Sequence, residues 1–155
     1  ETGIARRENL PTAGAATKVI STETGEIEGK KGAKVAVDAK TADVSADEFD
    51  ALILPGGTVN ADTIRTDADA VALVKAFKDA GKPIGVICHG GWILADADVL
   101  KGVTLTSVAN VKTDLANAGA NWVDEEVVVD SGFISSRTPD DLPAFNATLV
   151  EEFAK

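Results

Sequence analysis

The chain has 155 residues, 45% of them apolar and 26% charged, which suits one domain spanning 1–155 with a proper core. Its formal net charge of −10 argues against nucleic acid, whose phosphates call for clustered Lys and Arg. No apolar run approaches the roughly 20 residues that span a bilayer, and one Cys with one His allows neither an intrachain disulfide nor the usual metal clusters.

The acidic residues are spread along the chain as a solubilising surface. These bounds lead us to expect a soluble cytoplasmic protein that meets neither nucleic acid nor membrane and needs no cofactor or metal. The opening ETGIARRENL lacks the apolar stretch of a signal peptide. It starts with Glu1 in a chain without Met, so the expectation is that the gene's own start lies elsewhere.

In chain order, Arg6–Ala13 reads as a helix end disturbed by Pro11, and Ala16–Ser21 as a short β-branched strand after Gly14. Glu23–Lys34, rich in Gly and charge, reads as a hairpin or loop before a short strand at Val35–Val37. Ser45-Ala-Asp-Glu48 has the form of a helix N-cap with acidic residues in the first turn. Asp50–Pro55 is a continuous apolar run expected to be a strand buried on both faces, ending in Gly56-Gly57.

Asp67–Ala80 carries Val71, Leu73, Val74, Phe77 and Lys78 at helical spacing, closed by Gly81. Pro83–Ile87 is a second buried strand. It runs straight into Cys88-His-Gly-Gly91 and an apolar helix expected over Trp92–Leu100. A strand at Thr104–Ser107 and a helix ending at Leu115–Gly119 follow. Val127–Val129 and Phe133–Ser135 flank a hairpin turn at Asp130-Ser-Gly132. The last helix, Leu142–Phe153, spaces Phe145, Leu149 and Phe153 along one face. Alternating strands and helices predict an α/β fold with a mostly parallel sheet covered on both faces.

The chemistry concentrates at Cys88. A sharp strand-to-helix turn forces its central residue into strained backbone geometry and projects that side chain from the sheet edge. Gly85, Gly90 and Gly91 let neighbouring backbone crowd in, and the positive end of the next helix favours thiolate over thiol. Backbone N–H groups at His89 and Gly90, with those of Gly56 and Gly57 at the end of the preceding strand, are candidates for binding an oxyanion. The site lies where open α/β sheets hold ligands, outside the carboxyl ends of the strands. The alternative for Cys88 is a buried structural thiol. For His89 the alternatives are a general base or a ring that points away from its neighbour and pairs elsewhere.

Three blocks, ICHGGWILADADVLKGVTLTS, DLANAGANWVDEEVVVD and SSRTPDDLPAFN, make the chain from about Gly14 onward resemble the PfpI branch of the ThiJ/PfpI superfamily. That superfamily includes the Parkinsonism-associated deglycase and the archaeal intracellular protease. The resemblance implies a flavodoxin-like three-layer sandwich, a nucleophile at Cys88, and a homodimer or higher homo-oligomer with the site near an interface. It also implies an acidic partner for the thiol after a first strand. That strand is expected just before Glu1, which makes Glu1 the candidate acid and adds about a dozen residues to the folding molecule. In the archaeal proteases a neighbouring subunit's glutamate completes a Cys-His-Glu triad. The matching position falls near Ala68, between Asp67 and Asp69, so that acid has no counterpart in kind.

The leading expectation is therefore a stress-related cysteine enzyme acting on small reactive carbonyls or glycated adducts, of deglycase or glyoxalase III type, with Cys88, His89 and Glu1 as catalytic groups. An intracellular cysteine peptidase is the second reading. A redox-sensing or chaperone-like protein without turnover, in which Cys88 oxidises reversibly, is the third. Trp92 and Trp122 are read as packing groups near the crevice, Ser107 as a possible lining residue, Arg137 with Asp140-Asp141 as an ion pair or cap, and Asp124-Glu125-Glu126 as a solvated loop.

Overall fold

The computed structural model describes residues 14–28 and 34–155, with only the backbone of residues 27 and 28. Ten strands run in order through the described residues. They are β1 (Ile20–Ser21), β2 (Gly25–Glu28), β3 (Lys34–Val37), β4 (Ala39–Lys40), β5 (Leu52–Leu54), β6 (Ile84–Ile87), β7 (Thr104–Leu105), β8 (Asn121–Trp122), β9 (Val128–Asp130) and β10 (Phe133–Ser136). The α-helices are α1 (Thr58–Ile64), α2 (Ala68–Asp79), α3 (Trp92–Asp96), α4 (Lys112–Asn117) and α5 (Leu142–Phe153).

The central sheet has the order β5-β6-β10-β9, with β6 parallel to both β5 and β10 and only β9 antiparallel. Register is set by alternation along β6. Ile84 and Val86 join the larger core with Leu73, Val74 and Phe77 of α2, while Ile87 faces Phe145 and Leu149 of α5. Gly85 points toward α5 as well. A Cβ built there would sit 2.5 Å from Leu149 Cδ2, so glycine is what lets α5 lie close on the sheet. The result is the three-layer α/β sandwich expected, with α2, α3 and α4 packed in one core and α5 in the other.

Several elements differ from the sequence reading. The first strand shrinks to Ile20–Ser21, and Glu23–Lys34 proves to contain most of a hairpin, β2 pairing antiparallel with β3. Ser45 forms the capping box with Glu48, but the helix it opens is a single 3-10 turn, Ala46–Glu48. Leu52 and Ile53 are half-buried rather than buried, since β5 lies at an edge of the described four-stranded sheet. The helix expected to reach Leu100 stops at Asp96. Asp98 adopts φ +55°, and the N–H groups of Asp98 and Val99 donate to Ala95 O and Leu94 O, a Schellman ending built on aspartate instead of glycine. Helix α1 and strand β8 were not foreseen. The sequence TVNADTI is poor in helix formers, which hides α1. Arg6–Ala13 lies outside the described residues.

Candidate active site

Buried β6 delivers Cys88 at the carboxyl edge of the sheet, and the chain turns at once into the 3-10 turn Cys88–Gly91 and then α3. Cys88 has φ +59°, the left-handed region that an L-residue enters only at a cost of about 1–2 kcal/mol. Such strain survives where the surrounding packing imposes it. Here the packing is backbone on backbone. A Cβ at Gly90 would lie 2.7 Å from Leu54 O and 3.0 Å from Pro55 O, and one at Gly56 would lie 2.7 Å from Cys88 Cβ. The end of β5 and the turn after β6 are thus pressed together, and only glycine fits at either contact.

The thiol is half-buried, and its Sγ lies 3.2 Å from His89 Nδ1. Of the two alternatives for His89, the ring takes the one that folds back to the sulfur. On the far side of the imidazole, Nε2 is 3.5 Å from Thr58 Oγ1, a long contact from the first residue of α1. If Nδ1 accepts from the thiol, Nε2–H is the donor to Thr58, so one tautomer serves both contacts. Gly56 lies against Cys88, where an added Cβ would be 3.5 Å from Sγ, and Gly57 beside it caps α1 at φ +96°. Glu1 lies outside the described residues.

The buried strand, Cys88 in a left-handed turn and the glycine-lined second strand end give the site its geometry, and the comparisons with known proteins give the family. The chain belongs to the DJ-1/PfpI family, whose profile matches residues 3–152. It is 47% identical over 135 residues to a Bacillus subtilis protein named "Putative cysteine protease YraA", covering 86% of this chain and 79% of that one. Among solved structures, Drosophila melanogaster DJ-1beta superposes with a TM-score of 0.91 at 28% identity, covering 99% of this chain and 83% of that one. A two-domain Anabaena variabilis protein with DJ-1/ThiJ/PfpI-like and ferritin-like domains gives 0.95 at 32% identity. That match covers 99% of this chain but only 44% of the longer partner.

Within this family fold, the other residues singled out by sequence take structural positions. Asp67 caps α2, accepting from Ala70 N at 2.8 Å, and Asp69 is exposed in the first turn of that helix. Arg137 pairs with Asp141, as expected, and also with Asp124, which the sequence reading left in a solvated loop. That pairing holds the Asp141 carboxyl below the usual carboxylate range and raises the Arg137 guanidinium, in both cases chiefly through the hydrogen bonds between them.

Register places Ser136 opposite Ile87, so Arg137 and Thr138 leave the sheet level with Cys88. There they help line a cavity of about 290 Å³ with Ser107, Asn110, Trp122 and Asp124. Ser107, offered as a possible lining residue of the Cys88 crevice, lines this cavity instead and accepts from Trp122 Nε1 at 2.8 Å. No group of three or more His, Cys, Asp or Glu able to hold a metal occurs among the described residues, and no described helix is long and apolar enough to cross a membrane.

Sequence reasoning missed Thr58, which contacts His89, and Arg65 and Asp114, which contact Trp92. The one available signal was position: Thr58 directly follows the glycine pair at a strand end, where backbone and side-chain donors face the crevice.

Proposed function

We propose that the chain is a cysteine-dependent enzyme whose Cys88 thiolate adds to small reactive carbonyls or glycated adducts, as a deglycase or glyoxalase III-type catalyst. The observation that carries this reading is the Cys88 Sγ to His89 Nδ1 contact of 3.2 Å on a left-handed turn. His89 takes the thiol proton, and the sulfur lone pair then forms a C–S bond with the carbonyl carbon. The C=O π pair moves onto oxygen, and the imidazolium returns its proton there to give a neutral hemithioacetal. Backbone N–H groups of Gly56, Gly57, His89 and Gly90 are the proposed stabilisers of the transient oxyanion. Glu1 is the proposed further acid, from the family resemblance.

The relative named as a cysteine protease favours a second reading, peptide hydrolysis by the same thiolate, with the family's homo-oligomeric arrangement completing the site. Turnover of methylglyoxal and cleavage of casein by the wild type and Cys88→Ser separate the two. The carbonyl reading expects methylglyoxal loss that falls on the order of 10³-fold in Cys88→Ser. Casein cleavage that depends on Cys88, without methylglyoxal turnover, selects the peptidase. Full methylglyoxal turnover by Cys88→Ser overturns the carbonyl mechanism, and casein cleavage undiminished in Cys88→Ser overturns the peptidase.

A further inference from the structure

His89 is half-buried, with Nδ1 3.2 Å from Cys88 Sγ and Nε2 3.5 Å from Thr58 Oγ1. Its ring also has an aromatic neighbour. Trp92 lies three residues on, where the 3-10 turn Cys88–Gly91 passes into α3 and Trp92 N–H donates to His89 O. Three-per-turn winding stacks side chains at i and i+3. The indole accordingly meets the imidazole edge-on, centroids 5.4 Å apart at 68°, within the range of favourable aromatic pairs.

The indole is itself tied down from two distant parts of the chain. Its Nε1 donates to Asp114 Oδ2 of α4 at 2.9 Å. The Arg65 guanidinium, just past α1, lies 5.2 Å from the indole ring centre, and Arg65 Nε donates to Asp96 Oδ2 of α3 at 2.8 Å. Helix α1 therefore reaches the imidazole from both ends, through Thr58 directly and through Arg65 by way of Trp92. Arg65, Asp96 and Asp114 are the charged groups that these elements bring around the indole.

We propose that Trp92, pinned by Asp114 and Arg65, is a positioning residue that holds the His89 imidazole at the Cys88 sulfur. This rests on the nucleophile–base reading above and gives three residues outside the Cys–His pair a share in it.

Composition makes the test clean, because Cys88 and His89 are the only cysteine and histidine in the chain. Iodoacetamide alkylation measured across pH reports Cys88 alone, and one set of imidazole NMR signals reports His89 alone. Trp92→Leu and Asp114→Ala are expected to slow alkylation at pH 7 by about three- to tenfold and to shift the pH profile toward that of free cysteine. Both should also move the His89 ring signals, through the lost or reoriented indole ring current. Trp92→Phe, which keeps an aromatic edge, should stay within about twofold of wild type. If Trp92→Leu does not fold, Asp114→Ala at the surface carries the test. Wild-type profiles and ring signals in folded Trp92→Leu or Asp114→Ala, beside a changed profile in His89→Ala, overturn the positioning role alone. An unchanged profile in His89→Ala overturns the nucleophile–base reading and the positioning role with it.

Discussion

The two neighbouring strands β5 and β6 leave the sheet in the same way and solve the turn differently. After β5 the chain passes through Gly56-Gly57 into α1, with the positive φ of +96° taken by a glycine. After β6 the equivalent sharp turn is taken by Cys88 at φ +59°. Glycine meets such a conformation without a Cβ penalty, whereas cysteine does not. The difference shows which strand end carries a side chain worth the strain and which supplies backbone alone. It also shows that the two turns depend on each other, because Gly56 makes room for Cys88.

The largest expected break in this comparison comes from Gly56→Ala. Its φ is not in the left-handed region, so the damage is steric: the new methyl would lie 2.7 Å from Cys88 Cβ and 3.5 Å from Sγ. The sulfur must shift, and misplacement of a reacting group approaching an ångström costs up to about 100-fold in rate. Overpacking should cost about 1–3 kcal/mol as well. Denaturant unfolding and Cys88 alkylation rates measured on the same sample check both parts. Wild-type alkylation in Gly56→Ala would show that the two strand ends are not mechanically coupled.

A smaller effect tests the strain itself. Cys88→Gly and Cys88→Ala both remove the sulfur, but only glycine relieves the left-handed backbone, so Cys88→Gly should be the more stable by about 1 kcal/mol. Gly57→Ala should move the other way by a similar amount. Urea midpoints at constant slope measure these differences. Equal stability of the two Cys88 variants would mean that the turn relaxes once the thiol is gone.

How much of this could be read from residues alone follows the same division between sheet interior and strand ends. The apolar run before Cys88 and the alternation of glycines with it determine β6 and its turn, because burial on two faces leaves little freedom. Helix α5 matches its expected bounds because Phe145, Leu149 and Phe153 repeat at one helical period. By contrast, α3 ends early because an aspartate does the work of a C-terminal glycine, a choice with weak sequence signal. The site shows the same limit. Cys88, Gly56 and Gly57 follow from local pattern, while Thr58, Arg65 and Asp114 enter only through contacts 22 to 31 residues apart. The His89 ring meets Cys88 and Trp92 within its own turn, but its contact with Thr58 spans 31 residues and has no local signal.

The third strand end, after β10, uses neither glycine nor strain. Arg137 is held by Asp141, which is 4% exposed and accepts from both the Arg137 backbone N–H and its guanidinium. This junction should respond to acid, where the first two should not. The Asp141 carboxyl lies below its usual value in the fold, so the unfolded chain binds the proton more readily. The pair's contribution is therefore complete above the unfolded pKa of about 3.9 and fades as pH falls through the lower folded value. Arg137 remains charged throughout. With the guanidinium partly exposed, Asp141→Asn should lower Tm by only about 1–2 °C at pH 7, the smallest of these effects. That gap should stay constant from about pH 5 to 8 and narrow below about pH 4. A gap of unchanged size at pH 3 would mean that Asp141 acts through shape and neutral hydrogen bonds, leaving the junction as insensitive to protonation as its glycine counterpart.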